Sequence, residues 1–126
     1  MKPEQVVLSL WRKIDCKNWS GIEQYFARDA VVNWYNTNER FAAGEFVDVN
    51  REYPGDWTVG VEKIMSFENT VISVVRVSMK STGEAFHAIS FFRFGGGLIE
   101  QLDEYWGEGG PPPQWRTDKG IGSPIY

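Results

Sequence analysis

One carboxylate sits in a pattern that could do chemistry. Glu104 lies in the run Leu102-Asp103-Glu104-Tyr105-Trp106. An extended chain alternates its faces, so Leu102, Glu104 and Trp106 share one side and Gln101, Asp103 and Tyr105 the other. If the first side is enclosed, Glu104 is a carboxylate among apolar groups. Desolvation raises the pKa of such a group, which suits a general acid or base near neutral pH. Pairing with Arg76 or Arg93, or simple exposure to water, would leave the same residue without a chemical role. Other reactive types are scarce. His87 is the only histidine and Cys16 the only cysteine, so the chain has neither a His- or Cys-rich metal set nor an intrachain disulfide. Neither metal nor cofactor is expected. Ser90 has no Gly-x-Ser-x-Gly surroundings and is no nucleophile, though its hydroxyl could donate one hydrogen bond to a ligand.

Rings are the second signal. Aromatic residues make up 15% of the chain and six of them are tryptophan. Surplus rings of this kind line concave pockets, because they offer apolar area with few torsions to freeze. Trp34, Trp57 and Trp106 are candidate walls for a planar or polycyclic ligand, with core packing as the alternative. Phe86, Ala88, Ser90 and Phe92 share one face of a strand. His87, Ile89 and Phe91 occupy the opposite face. Asn36 and Asn38 suit a turn, and Tyr53-Pro54-Gly55-Asp56-Trp57 could be a loop with ring side chains at a pocket entrance.

The elements that must position these residues are legible in outline. Val7, Leu10, Trp11 and Ile14 form a helical stripe within residues 4–16. Ser20 and Glu23 have capping-box spacing, which predicts a short helix over 20–27. Residues 31–36 are β-branched and aromatic, a short strand. A third helix is expected over 42–52 and must stop before Pro54. From there the period is two, with strands expected over 57–67, 70–80, 84–94 and 98–107 and short turns between them, an antiparallel meander. The tail over 108–126 contains Gly109-Gly110-Pro111-Pro112-Pro113 and cannot join a sheet interior. Its Trp115, Ile125 and Tyr126 suggest that it docks on the outer sheet or on a second subunit. Three helices before a curved sheet is an α+β arrangement.

Size and charge narrow the classes. A chain of 126 residues is one domain, read as a core over 1–107 and a tail over 108–126. The net charge of −4 and pI of about 5.0 speak against a nucleic-acid partner. No apolar run approaches the roughly 20 residues of a membrane span. The charged N-terminal segment does not read as a signal peptide, so a cytoplasmic protein is expected.

Two stretches carry a family resemblance. Trp19-Ser20-Gly21-Ile22 followed by Tyr25-Phe26-Ala27-Arg28-Asp29-Ala30-Val31-Val32 resembles the entry of the nuclear transport factor 2-like superfamily, which includes ketosteroid isomerases and SnoaL-like polyketide cyclases. Phe91-Phe92-Arg93-Phe94-Gly95-Gly96-Gly97-Leu98-Ile99, then Glu104-Tyr105-Trp106-Gly107, is similar to the last hairpin of the isomerases. The resemblance implies a cone-shaped α+β barrel of curved antiparallel sheet on three N-terminal helices. It also implies a deep hydrophobic pocket for an apolar cyclic or aromatic molecule, and a homodimer through the outer sheet face, where His87 would lie. At the isomerase catalytic positions this chain carries Leu10, Trp34 and Ser90, which supply neither base nor acidic donor, so the resemblance argues against ketosteroid isomerisation. The pocket positions it implies include Trp34, Ser90, Phe92 and Trp106, with Leu10, Asn36, Trp57, Phe86, Ala88 and Leu102 around them. The acid of SnoaL-like cyclases falls at Glu104, with Glu in place of Asp; a slip of one residue would put Asp103 there instead. Two functions follow: an isomerase, cyclase or hydratase using Glu104, or a non-catalytic ligand-binding or protein-interaction domain.

Overall fold

The computed structural model describes all 126 residues. Helix α1 (Pro3–Asp15) opens with proline in its first turn, where no backbone N–H is needed. It buries Val7, Leu10, Trp11 and Ile14, the stripe its spacing predicts, and Val6 beside them. The helix expected over 20–27 is absent. A single 3-10 turn, Glu23–Tyr25, stands there instead, and strand β1 (Phe26–Trp34) begins five residues early. Tertiary packing overrides the local signal: Phe26 is buried against Phe46 at 5.8 Å between ring centroids and pairs with Ile99.

A short strand β2 (Glu39–Ala42) folds back on β1, with Asn38 in the left-handed region of the turn between them. Helix α2 (Ala43–Glu52) follows, and then β3 (Trp57–Phe67), β4 (Thr70–Met79), β5 (Ala85–Gly95) and β6 (Leu98–Glu108). The β5–β6 turn places Gly96 and Gly97 at φ of 58° and 82°, the two positive angles a tight hairpin of this hand needs. One sheet holds all six strands in the order β2-β1-β6-β5-β4-β3. The last four form the expected meander. β1 departs from the all-antiparallel expectation, because it pairs parallel to β6, with Trp34 opposite Glu104. The sheet is therefore mixed, and the fold is α+β.

The core lies between the concave sheet face and the two long helices. Val32, Val71, Val75, Phe92, Ile99 and Leu102 supply the sheet side. Near its C-terminal end α1 is tied to edge strand β3: the Asp15 carboxylate accepts from the Val59 amide at 2.8 Å, and the Lys17 ammonium donates to the Trp57 carbonyl at 2.6 Å. Beyond β6 the chain does not dock on its own sheet. The prolines offer no donors to a strand, a four-residue helix α3 (Gln114–Thr117) follows, and Trp115, Ile125 and Tyr126 stay exposed. No helix is long and apolar enough to cross a membrane.

Candidate functional site

Glu104 faces inward from β6 and is 5% exposed. The mixed pairing surrounds it with donors. From β1, the Trp34 indole N–H donates to Oε1 at 3.0 Å. From β5, the Ser90 hydroxyl donates to Oε2 at 2.5 Å. Burial pushes the carboxyl above the ordinary carboxylate range, and the Ser90 and Trp34 hydrogen bonds pull the other way without cancelling it. No cation stands against it: Arg93 is paired with Glu100 at 2.8 Å, and Arg76 forms no ion pair. Asp103 turns to the opposite face, where the Asn33 and Gln101 amides donate to it at 2.8 and 2.9 Å. The register alternative is thereby decided in favour of Glu104.

The acid belongs to a row of polar side chains across the sheet. Ser73 pairs with Ser90, Ser90 with Glu104, and Glu104 with Trp34 in adjacent strands. Ser73 and Ser90 are fully buried, and the Trp11 indole N–H donates to the Ser73 hydroxyl at 3.0 Å. Every buried polar side-chain atom finds a partner, as a low-dielectric interior demands.

Next to this row opens a cavity of about 360 Å³. Trp34, Trp57, Phe86, Ala88 and Trp106 line it together with Glu104. Five other expected lining residues do not. Leu10, Phe92 and Leu102 are fully buried between sheet and helix, and Trp11 stands edge-on to Phe92 at 6.3 Å. Ser90 is likewise fully buried and spends its hydroxyl on Glu104 rather than on a ligand. Asn36 is exposed outside the cavity. Its amide donates to the Trp106 carbonyl at 2.8 Å and accepts from the Trp106 amide at 3.1 Å, so it fixes Trp106 by imitating a peptide group. His87, on the outer face, meets Glu62 at 3.0 Å.

Sequence reading missed Trp11 and Trp19 as wall residues, since both look like ordinary packing positions. With Trp34, Trp57 and Trp106 they make five of the six tryptophans cavity-lining; Trp115, in the tail, is the sixth. The missed residues also include Lys17, Arg51 and Glu108. The surplus of indole was the one available signal for the wall. The rings meet at steep angles: Trp34 and Trp106 at 81° and 5.3 Å, Trp57 and Phe86 at 66° and 5.5 Å. The 53–57 loop brings Tyr53, Gly55 and Trp57 to the cavity. It is pinned where the Trp57 indole donates to the Pro54 carbonyl at 2.7 Å and where Asp56 accepts from the Ser81 amide and hydroxyl. The Ser81 amide bond holds the Asp56 carboxyl below its usual range. No group of three His, Cys, Asp or Glu side chains stands together as a metal set.

The family model for the SnoaL-like domain matches residues 9–102. That span stops two residues short of Glu104, so the acid rests on geometry rather than on the match. No curated protein matches the sequence significantly. Among solved structures, the chain is similar to a provisionally assigned ketosteroid isomerase from Kribbella flavida, with TM-score 0.81 and 19% identity over 98% of this chain and 89% of that one. It is also similar to a nuclear transport factor 2-like protein of unknown function from Burkholderia xenovorans, with TM-score 0.75 and 16% identity over 97% and 94%. A third is an LEH-like epoxide hydrolase from M. tuberculosis, with TM-score 0.68 and 12% identity over 82% and 81%. At such identities the likeness establishes fold, and different activities sit on that fold.

Proposed function

Starting from the fact that this chain belongs to the SnoaL-like domain family, we propose that it binds an apolar cyclic or aromatic small molecule in its tryptophan-walled cavity and acts on it through Glu104. The reaction class is isomerase, cyclase or hydratase chemistry without a cofactor: proton transfer beside a carbonyl or at an epoxide-like centre, which needs one positioned acid or base in a dry site. One observation carries the reading. The Glu104 carboxyl of the last strand is buried at the wall of a cavity of about 360 Å³, in no ion pair and oriented by Trp34 and Ser90. Burial raises its pKa above the ordinary carboxylate range, the direction that suits a general acid or base. Ketosteroid isomerisation is not part of the proposal, since Leu10, Trp34 and Ser90 supply no base or acidic donor at the corresponding positions.

A second reading, a binding domain of the same fold without turnover, is favoured by the absence of any second acid or base beside Glu104 in the row it occupies. The proposal further includes a cytoplasmic setting and a homodimer through the outer sheet face, which exposes Phe67, Ile89, Phe91 and Tyr105.

The test is quenching of tryptophan fluorescence by a panel of ring compounds, with a carbon-detected NMR titration of Glu104. Saturable quenching and a midpoint well above the ordinary carboxylate range are expected. No quenching by any ring compound, together with an ordinary midpoint, would remove the proposal. Glu104→Gln that keeps affinity and abolishes turnover identifies the enzyme; a wild type that binds and never turns over identifies the carrier.

A further inference from the structure

Four charged side chains line the cavity: Lys17, Arg51, Glu104 and Glu108. Their pairing is unequal. The Arg51 guanidinium is held by Asp48 at 2.7 Å and by Glu52 at 3.7 Å on its own helix. The Lys17 ammonium is drawn to the Trp57 carbonyl at 2.6 Å. Neither Glu104 nor Glu108 has an ion-pair partner. Glu104 in particular meets neutral groups only, and its Trp34 partner can donate but never accept. Two donors aimed at one carboxyl solvate its anionic form, yet the counter-ion that would complete the arrangement is missing from the chain.

The walls have a matching property. An indole ring carries negative charge density on its face and attracts a cation placed over it, more strongly than phenol or benzene rings do. Here Trp34 and Trp106 meet near a right angle, as do Tyr53 and Trp57 at 83°. Steeply inclined rings that line one void bound it from more than one direction. A lining of indole rings with an unpaired carboxyl among them suits a positively charged ligand better than a neutral ring alone.

We propose that the cavity takes a small organic cation, an alkylated ammonium joined to an apolar body, with Glu104 as its counter-charge and the indoles as its enclosure. This rests on the reading of the cavity as a ligand site and narrows the ligand class. A bound cation favours the charged form of Glu104, so beside such a ligand the group serves as base rather than acid.

The experiment compares choline with its neutral isostere 3,3-dimethylbutan-1-ol, by tryptophan fluorescence and calorimetry on the full chain at pH 8. A naphthalene alcohol serves as the neutral ring probe. Choline is expected to bind about tenfold tighter than the isostere, and Glu104→Gln is expected to erase that gap while leaving isostere binding in place. Equal binding of the two, preference for the isostere, or binding of the naphthalene alcohol alone overturns the cation inference and leaves the ligand cavity standing. Failure of all three probes removes both. The wild-type comparison decides the matter even if Glu104→Gln does not fold.

Discussion

At Glu104 two effects oppose each other. Removing a carboxylate from water costs several kcal/mol when nothing compensates, whereas a hydrogen bond to a charged group returns about 1.5–3 kcal/mol. Desolvation is the larger effect here and the folded-state pKa is raised. The sign of the linkage follows. Between the unfolded and folded pKa values the native state binds more protons than the unfolded chain, so stability falls as pH rises through that window. Thermal melts should show the melting temperature dropping as pH rises above the ordinary glutamate range, and Glu104→Gln should flatten that drop; an unchanged slope would mean that Glu104 ionises as freely folded as unfolded. Ser90→Ala removes a donor that lowers the pKa. Its expected effects are a higher NMR midpoint for Glu104 and a loss of about 1–3 kcal/mol in denaturant unfolding at pH 8. Glu104 itself was legible, because strand alternation depends only on neighbours in sequence. Its partners were not: Ser90 and Trp34 are 14 and 70 positions away, and only cross-strand register makes them adjacent.

At the scale of elements, the meander from β3 to β6 was readable because period-two patterning and glycine turns are local signals. The parallel pairing of β1 with β6 was not. It joins strands some 70 residues apart, and nothing in either sequence states its partner. The false helix over 20–27 has the same origin, since a capping-box spacing competes there with sheet pairing that only the folded chain reveals. The 53–57 loop shows how an element presents a ring. Gly55 sits at φ 116°, and a Cβ there would lie 2.7 Å from the Trp57 indole nitrogen and 2.6 Å from the Met79 methyl. Gly55→Ala therefore meets both an unfavourable backbone angle and a blocked space. It should cost about 1–3 kcal/mol by thermal unfolding and shift the tryptophan emission by moving Trp57. Wild-type stability with wild-type emission would show that the loop tolerates a side chain and that Trp57 is not seated by it.

The whole molecule has two unlike surfaces on one sheet. The concave face is covered by α1 and α2 and holds the polar row beside its cavity. The convex face is bare and carries Phe67 at 72% exposure, Met65 at 57%, Tyr105 at 41% and Phe91 at 39%. Tyr105 stacks on Tyr35 at 4.7 Å and meets Phe91 edge-on at 6.1 Å, so these rings form a continuous apolar surface rather than scattered exposures. A monomer seldom leaves such a patch in water, because burying it returns about 25 cal/mol for each Å² covered. A second copy placed on it would satisfy both faces at once, and a two-fold pairing makes the patch complementary to itself. Light scattering after size exclusion should report twice the chain mass. Phe91→Glu puts a charge at the middle of the patch, on the face opposite to Ser90 and Phe92, and should release monomers while leaving ligand quenching of the cavity tryptophans intact. If the wild type runs as a monomer at tens of micromolar, the convex face serves no self-association. If Phe91→Glu abolishes quenching together with the dimer, cavity and interface are coupled through β5 instead of lying independently on its two sides.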